Sequence, residues 1–218
     1  IEKKDLKTSK DSVSYAIGYD IGSNFNKQGI EIDIEKLSKG IGDGLLDSAG
    51  TGGIFTQEEL KQIFTNLQQQ MMEKQQAKAE NSAKKNKEIE DKFLAENSKK
   101  PGVVTLPSGL QYKVVKAGTG PSPKATDKVT VHYRGTLING QEFDSSYKNG
   151  EPVTFPLNGV IPGWTEALQL MKVGDKWEVY IPAALAYGNR GAGQMIEPGA
   201  TLIFEVELLG IGGPEEKK

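Results

Sequence analysis

The feature that first suggests chemistry is a glycine-rich stretch, AYGNRGAGQMIEPGATLIFEVELL, in which Gly188, Gly191 and Gly193 fall close together. A glycine loop that holds a phosphate lies between a strand and a helix N-terminus, whose N–H groups bind the anion. Here the loop follows Pro182 and continues through Pro198 into a strand-like apolar run. The sequence therefore argues against a nucleotide site. A structural loop whose glycines only permit tight turns is the simplest alternative.

Metal and thiol chemistry have few residues to use. The sequence contains one histidine, His132, and no cysteine, which excludes disulfides, thiolate ligands and thiol nucleophiles. His132 alternates with the apolar Val131 and Tyr133, so we expect it on the opposite face of a strand. The acidic residues show no EF-hand spacing. We expect a surface histidine, no metal and no other cofactor.

Composition describes an ordinary globular chain of 218 residues with 36% hydrophobic and 26% charged residues. The formal net charge of −2 provides no basic field, so nucleic acid is not an expected partner. No window approaches 18 consecutive apolar residues, so we expect no membrane span. The sequence begins at Ile1 without a methionine or a signal-like segment, and we expect a processed mature form or a trimmed chain.

The two halves of the chain differ in pattern. All ten prolines lie from Pro101 onward. The first half has helical periodicity, whereas the second alternates like strands, and the change falls near the segment SKKPG. We predict an α+β chain with an N-terminal all-helical dimerisation domain (1–55), a long connecting helix (56–100) whose start contributes to the dimer core, and a C-terminal domain (101–218).

Apolar residues recur at helical spacing in the first 45 residues. They form two sets: Val13, Ile17, Ile21 and Phe25, then Ile34, Leu37, Ile41 and Leu45. The first set ends before Gly29, a typical helix stop, and the second follows Asp33, a typical N-cap. Because such short amphipathic helices seldom form a stable monomeric core, we expect this region to dimerise.

A third helix begins at Thr56, which has capping-box spacing to Glu59. No glycine or proline follows until Pro101, so one helix could run about 40 residues, or roughly 60 Å. Beyond Met72 it is mostly polar, which is typical of a helix that bridges domains through solvent. A partly disordered linker is the alternative.

The second half contains strand-like segments at 110–116, 128–136, 176–181 and 201–209, and one short helix at 163–171. This order predicts a twisted antiparallel β-sheet wrapped around a short helix.

Four motifs in this half occur in one order with short spacings: VTVHYRGTLINGQEFDSSY, VIPGWTEALQLMKVGDKWEVYIP, LAYG and ATLIFEVELL. This series resembles the FKBP-type peptidyl-prolyl cis-trans isomerases. In the first half, DSVSYAIGYDIGSNF, the charged helix and PGVVTLPSGLQYKVV resemble the macrophage infectivity potentiator (Mip) proteins and their FKBP relatives. The resemblance implies a V-shaped homodimer with intertwined N-terminal helices and catalytic domains on long helical arms.

The resemblance also implies a proline-binding pocket. Trp164 would form its floor, aromatic walls would surround the proline ring, and the backbone of Ile161 would meet the substrate chain. The implied catalytic residues are Phe143, Asp144, Trp164, Tyr187 and Phe204, and the implied substrate-binding residues are Tyr133, Phe155, Val160, Ile161 and Ile196. The glycines would shape a loop that overhangs this pocket.

Two rim positions, Val153 and Ala192, depart from residues common in relatives, which affects substrate preference more than activity. The alternative is that the aromatic residues are ordinary core packing in an inactive domain. We favour a pocket because Asp144 brings a charge into an apolar neighbourhood, where burial is costly unless the charge is paired or useful.

Functionally, the resemblance implies an isomerase that accelerates X–Pro bond rotation in protein folding, with chaperone activity and a virulence-associated role. Its partners would be proline-containing unfolded or partly folded polypeptides and inhibitory macrolides of the rapamycin type. The implied location is the periplasm or the outer membrane rather than the cytoplasm. The alternative function is a dimeric holdase chaperone or adhesion module whose FKBP domain mainly binds.

Overall fold

A computed structural model of the chain describes residues 1–47, 50 and 53–212. The chain divides into two compact units, residues 1–76 and 77–218. This division falls inside the long third helix, so that helix contributes to both units. The boundaries predicted from the sequence, at 55/56 and 100/101, stay predictions. None of the helices formed by the described residues has the length and apolarity that crossing a bilayer requires.

The first unit contains helix α1 (Ser9–Gln28), helix α2 (Ile34–Leu46) and the start of helix α3 (Gln57–Asn97). Their ends follow the predicted caps. Gly29 ends α1 in a left-handed conformation, with φ +65°, and the Asp33 carboxylate accepts a 3.1 Å hydrogen bond from the Lys36 N–H at the start of α2. At α3, the Thr56 N–H donates to the Glu59 carboxylate. The predicted single long helix is confirmed at 41 residues.

The apolar faces of this unit are open. No described residue between positions 1 and 76 is buried. Val13 and Ile17 on α1 are more than half exposed, and Leu45 and Ile54 are 83% and 86% exposed. Within one chain, these helices therefore form no closed core.

The second unit is built on a seven-stranded antiparallel sheet. Its strand order is β1-β2-β6-β7-β3-β4, and β5 pairs with the first half of β3. Helix α4 (Pro162–Leu170) lies in the connection between β5 and β6. The strands are β1 (Val103–Thr105), β2 (Gln111–Lys116), β3 (Lys128–Leu137), β4 (Glu142–Ser145), β5 (Val153–Pro156), β6 (Lys176–Ile181) and β7 (Leu202–Ile211).

One hydrophobic core joins the sheet to α4. Alternate side chains of β3 and β7 are buried, as a half-buried sheet requires. Trp164 and Leu168 of α4 pack into the same cluster. The predicted α+β fold, with a sheet around one short helix, is confirmed.

The last part of α3 belongs to this second unit and packs against the rest of it. Glu90 and Asn97 are buried. The Asn97 amide donates a 2.9 Å hydrogen bond to Gln111 Oε1, and Gln111 Nε2 donates to the carbonyl of Leu94. The expectation that the polar helix runs through solvent is therefore wrong for its C-terminal turns, because polar side chains there make buried, directed hydrogen bonds.

Candidate active site

An open cleft of about 470 Å³ lies between the sheet and α4 in the second unit. Strands β3, β4, β5 and β7, the segment before α4, α4 itself and the loop after β6 all contribute to its lining. The lining residues are Tyr133, Phe143, Asp144, Phe155, Gly159, Val160, Ile161, Trp164, Tyr187 and Phe204. Nine of these ten were singled out from the sequence, and the structure brings them together.

Trp164 is the centre of the aromatic lining and is only 5% exposed. Its ring centroid lies 5.1 Å from that of Tyr133, 5.2 Å from Phe204 and 5.8 Å from Phe155. All three contacts are edge-on, with interplanar angles of 85°, 78° and 86°. Edge-to-face contacts of this kind are the preferred geometry of aromatic pairs. The indole is therefore held in one orientation by its neighbours.

Gly135 leaves room for the Phe143 and Phe204 rings, which form one wall of the cleft. It lies on β3 between Asp144 of β4 and Phe204 of β7. A Cβ atom at this position would lie 2.6 Å from Phe143 and 2.8 Å from Phe204, whose rings meet edge-on at 5.5 Å. Any side chain would force the two rings apart. Sequence reasoning missed Gly135, although a glycine inside a strand is a known sign of close approach.

The polar groups of the cleft are coupled. The Tyr133 hydroxyl donates a 2.7 Å hydrogen bond to Asp144 Oδ2, and the Ser145 N–H donates a 2.8 Å bond to Oδ1. Burial, and then the hydrogen bond to Asp144, raise the pKa of Tyr133 above its usual value. The phenol is thus a stable donor at neutral pH.

Asp144 itself is exposed at the mouth of the cleft. The expectation that Asp144 carries a buried charge is therefore wrong, because solvent reaches this carboxylate. What the structure shows instead is an oriented carboxylate, held by two donors beside an aromatic wall. Its position next to Phe143 still places a negative charge at the entrance.

Tyr187 approaches the cleft from the loop between β6 and β7. Its side chain is 41% exposed, so its phenol is accessible to a ligand. The backbone after it is closed by a hydrogen bond from the Gly199 N–H to the Gly188 carbonyl, at 2.9 Å. The glycine-rich segment is thus a turn that carries Tyr187, and it leads into β7 rather than a helix.

Three other sequence-selected residues lie beside the cleft rather than in its lining. Ile196 is 8% exposed, packs in the core and exchanges two backbone hydrogen bonds with Ala192, at 2.8 and 3.1 Å. Val153 packs against the same core from β5. The lining residue that sequence reasoning missed is Gly159, which has no side chain to signal a role.

His132 lies outside the cleft. Its Nδ1 is 2.9 Å from the Ser146 hydroxyl, and its ring stacks on Tyr147 with a centroid separation of 4.6 Å. Ser146 Oγ also accepts a 2.8 Å hydrogen bond from the Tyr133 N–H. His132 therefore belongs to a network behind Tyr133. In the described part of the chain, no group of three or more acidic or histidine side chains is arranged to hold a metal ion.

Comparisons with known proteins cover both units. A family profile described as FKBP-type peptidyl-prolyl cis-trans isomerase matches residues 120–209. A second, described as the domain amino terminal to FKBP-type peptidyl-prolyl isomerase, matches residues 10–114.

Individual relatives match over nearly the whole chain. The outer membrane protein MIP of Legionella longbeachae is 50% identical over 206 residues, covering 94% of this chain and 87% of the relative. The FKBP-type peptidyl-prolyl cis-trans isomerase FkpA of Aeromonas hydrophila is 45% identical, covering 97% of this chain and 80% of the relative. The crystal structure of FkpA from Escherichia coli superposes with a TM-score of 0.72 at 38% identity, covering 95% of this chain and 98% of that one.

Proposed function

Since this chain belongs to the FKBP-type peptidyl-prolyl cis-trans isomerase family, we propose that the cleft around Trp164 is where it isomerises X–Pro peptide bonds. The chain is a peptidyl-prolyl isomerase. The observation that carries the assignment of the site is an aromatic floor and walls with two accessible polar groups, Asp144 and Tyr187, at the opening. An apolar cleft with few polar groups is the usual form of a small-ligand site.

The reaction makes and breaks no covalent bond. Rotation about a peptide bond must lose amide resonance, and the barrier is about 18–20 kcal/mol. Uncatalysed X–Pro exchange takes tens to hundreds of seconds. The planar amide is more polar than the twisted one, so a site that excludes water disfavours the ground state relative to the transition state. Only such differential stabilisation accelerates the reaction.

Each part of the cleft has a role in this scheme. The proline ring packs on the Trp164 indole, against the aromatic walls that Tyr133, Phe143 and Phe204 form. The Tyr187 hydroxyl donates to a substrate carbonyl and favours the twisted amide. Asp144, held by Tyr133, polarises the opening and transfers no proton.

The segment before α4 supplies the contact to the substrate backbone. The Ile161 carbonyl already accepts hydrogen bonds from the N–H groups of Trp164 and Thr165, at 3.0 and 3.2 Å. Its N–H is therefore the group proposed to bind a substrate carbonyl, with Val160 beside it at the rim. Because about 1.4 kcal/mol gives a tenfold change in rate, a few such contacts suffice for catalysis.

The test is a matched pair of carboxylate substitutions in the full chain. Asp144→Ala removes the oriented charge at the cleft, whereas Glu151→Ala removes an exposed carboxylate from the turn before β5. Isomerisation of a short prolyl peptide should fall about tenfold with the first, which corresponds to a loss of about 1.4 kcal/mol of transition-state stabilisation, and stay unchanged with the second. Equal rates in both variants would refute the assignment of the site.

A homodimer formed through residues 1–76 is part of the proposed function. The support is that no described residue of this unit is buried in the single chain, although its helices carry apolar faces. A second copy with the same faces would bury them. Two isomerase units in one dimer would raise the local concentration of sites around a bound unfolded chain, which is the basis of the proposed chaperone activity.

We also place a rapamycin-type macrolide among the ligands of the cleft and the protein outside the cytoplasm, in the periplasm or at the outer membrane. The cleft volume of about 470 Å³ lies within the usual range for small-molecule sites. The location is supported by a 50% identical relative named as an outer membrane protein.

A further inference from the structure

Glu90 of α3 makes buried hydrogen bonds to the segment between β6 and β7. It is 4% exposed, although it carries a charge. Its Oε2 accepts a 2.7 Å hydrogen bond from the Ala183 N–H and a 2.8 Å bond from the Thr201 hydroxyl. Ala183 lies just after β6 and Thr201 just before β7. One carboxylate oxygen therefore joins the two ends of the segment that carries Tyr187.

The same face of α3 makes two further contacts with this segment. Asn86 Nδ2 donates a 2.8 Å hydrogen bond to the Pro198 carbonyl. The backbone of Ala83 comes so close to Gly199 that a Cβ there would lie 2.9 Å from Ala83 Cα and O. Positions three and four apart share one face of a helix, so these contacts form one docking stripe with Glu90.

Short backbone links connect this stripe to Tyr187. The Gly199 N–H donates to the carbonyl of Gly188, the residue that follows Tyr187, at 2.9 Å. On the other side, the Ala186 N–H donates to the Ala183 carbonyl at 3.0 Å. The residues on both sides of Tyr187 are thus hydrogen-bonded to positions that α3 holds.

A buried carboxylate is costly unless hydrogen bonds satisfy it. Here the Ala183 N–H and the Thr201 hydroxyl satisfy Oε2, and Lys87 Nζ lies 3.3 Å from Oε1. Removal of the carboxylate would leave the Ala183 N–H and the Thr201 hydroxyl without this acceptor, and buried donors without partners are expensive. The arrangement is therefore directional, because it specifies where both ends of the segment lie, which apolar packing alone would not do.

We propose that Glu90 is a positioning residue of the isomerase. Its carboxylate closes the base of the segment 182–201 and so sets the position of the Tyr187 phenol over the cleft. Helix α3 then helps to shape the active site, in addition to connecting the two units of the chain. This inference rests on the proposed role of Tyr187.

The experiment compares substitutions in the full chain, with kcat and KM measured on a short prolyl peptide by NMR exchange. Glu90→Ala removes the acceptor, Glu90→Gln keeps an acceptor oxygen at the same place, and Glu88→Ala removes an exposed carboxylate of the same helix. We expect Glu90→Ala to lower kcat about tenfold, since misplacement of a group by a distant change can cost up to about a hundredfold. Glu90→Gln should restore most of the activity, and Glu88→Ala should match the unsubstituted protein.

A double-mutant cycle separates positioning from general destabilisation. In a Tyr187→Phe background, Glu90→Ala should have little further effect, because the group it positions is gone. The same fold loss in both backgrounds, or no loss in either, overturns the proposal. If Glu90→Ala does not fold, as judged by near-UV circular dichroism, Thr201→Val removes one of the two bonds at nearly constant shape and enters the same cycle.

The outcome also separates this inference from the proposed site. If Tyr187→Phe and Asp144→Ala leave activity unchanged, the site itself is misassigned. If both lower activity but Glu90→Ala does not, only the role of Glu90 fails.

Discussion

The Tyr133 hydroxyl donates a 2.7 Å hydrogen bond to the carboxylate of Asp144, from β3 to the neighbouring strand β4. Tyr133 also contacts Trp164 edge-on, so one side chain links the aromatic floor of the cleft to the charge at its mouth. The Ser145 N–H donates a second hydrogen bond to the same carboxylate. The charge is exposed yet oriented, and this distinguishes it from a mobile surface carboxylate.

Tyr133→Phe tests that orientation. The ring would keep its packing while Asp144 loses one of its two donors, so we expect a smaller loss of isomerase activity than with Asp144→Ala. Stability should fall by about 1 kcal/mol, the usual net contribution of one hydrogen bond. Urea unfolding and peptide isomerisation measure the two effects. A loss of activity equal to or larger than that of Asp144→Ala would contradict this assignment of roles.

We predict that the fold loses stability at alkaline pH because of two buried tyrosines, Tyr133 and Tyr180. Burial, and then hydrogen bonds to Asp144 and Glu178, raise the pKa of Tyr133 and Tyr180. The folded chain therefore holds both protons more tightly than the unfolded chain, whose tyrosines titrate near pH 10. This contribution to stability is fully present below about pH 10 and is lost as the pH rises above it.

The measurement is the free energy of unfolding between pH 8 and 11. Tyr180→Phe should flatten the decline, whereas Tyr19→Phe, on the surface of α1, should leave it unchanged. An equally steep decline in the Tyr180→Phe variant would show that Tyr180 is not a source of the decline.

A rapamycin-type macrolide should compete with prolyl peptides for the cleft. The chain has two tryptophans, and Trp177 stacks on Tyr112 with centroids 4.2 Å apart. In a Trp177→Phe variant, the fluorescence reports Trp164 alone and should change when the macrolide binds. Neither a fluorescence change nor inhibition at micromolar macrolide would mean that the cleft does not accept this ligand class.

The open faces of the first unit predict a dimer. Light scattering should give twice the 23.7 kDa of one chain for the full-length protein and a single-chain mass for a fragment of residues 77–218. Ile17→Glu places a charge on the apolar face of α1 and should dissociate the dimer. Ser12→Glu, on the opposite face of the same helix, is its control. A full-length monomer would remove this part of the proposal.

Much of this architecture follows from local patterns. Helix ends at Gly29, Asp33 and Thr56 were predictable because caps depend on one or two neighbouring residues. Long strands such as β3 and β7 show their alternation directly. Strands β1, β4 and β5 were missed, since three or four residues are too few to establish a period.

The lining of the cleft, apart from Gly159, was predicted through motif resemblance. The supporting residues around it were missed for physical reasons. Gly135 matters because of the side chain it lacks, and the rings it accommodates come from other strands. Glu90 looks like one more charge in a charged helix, and only the folded contact with Ala183 and Thr201 distinguishes it. Asp144 was expected to be buried and is exposed. The sequence could not show this, because it does not reveal which side of a strand end faces solvent.

The position of a substrate proline ring on the folded protein decides whether the cleft around Trp164 is the active site. Intermolecular NOEs between a short prolyl peptide and the full chain would locate its ring. We expect contacts from the proline ring protons to the Trp164 indole and the Phe204 ring. Contacts confined to another surface, such as the groove lined by Ile89 and Met195, with none to Trp164, would contradict it.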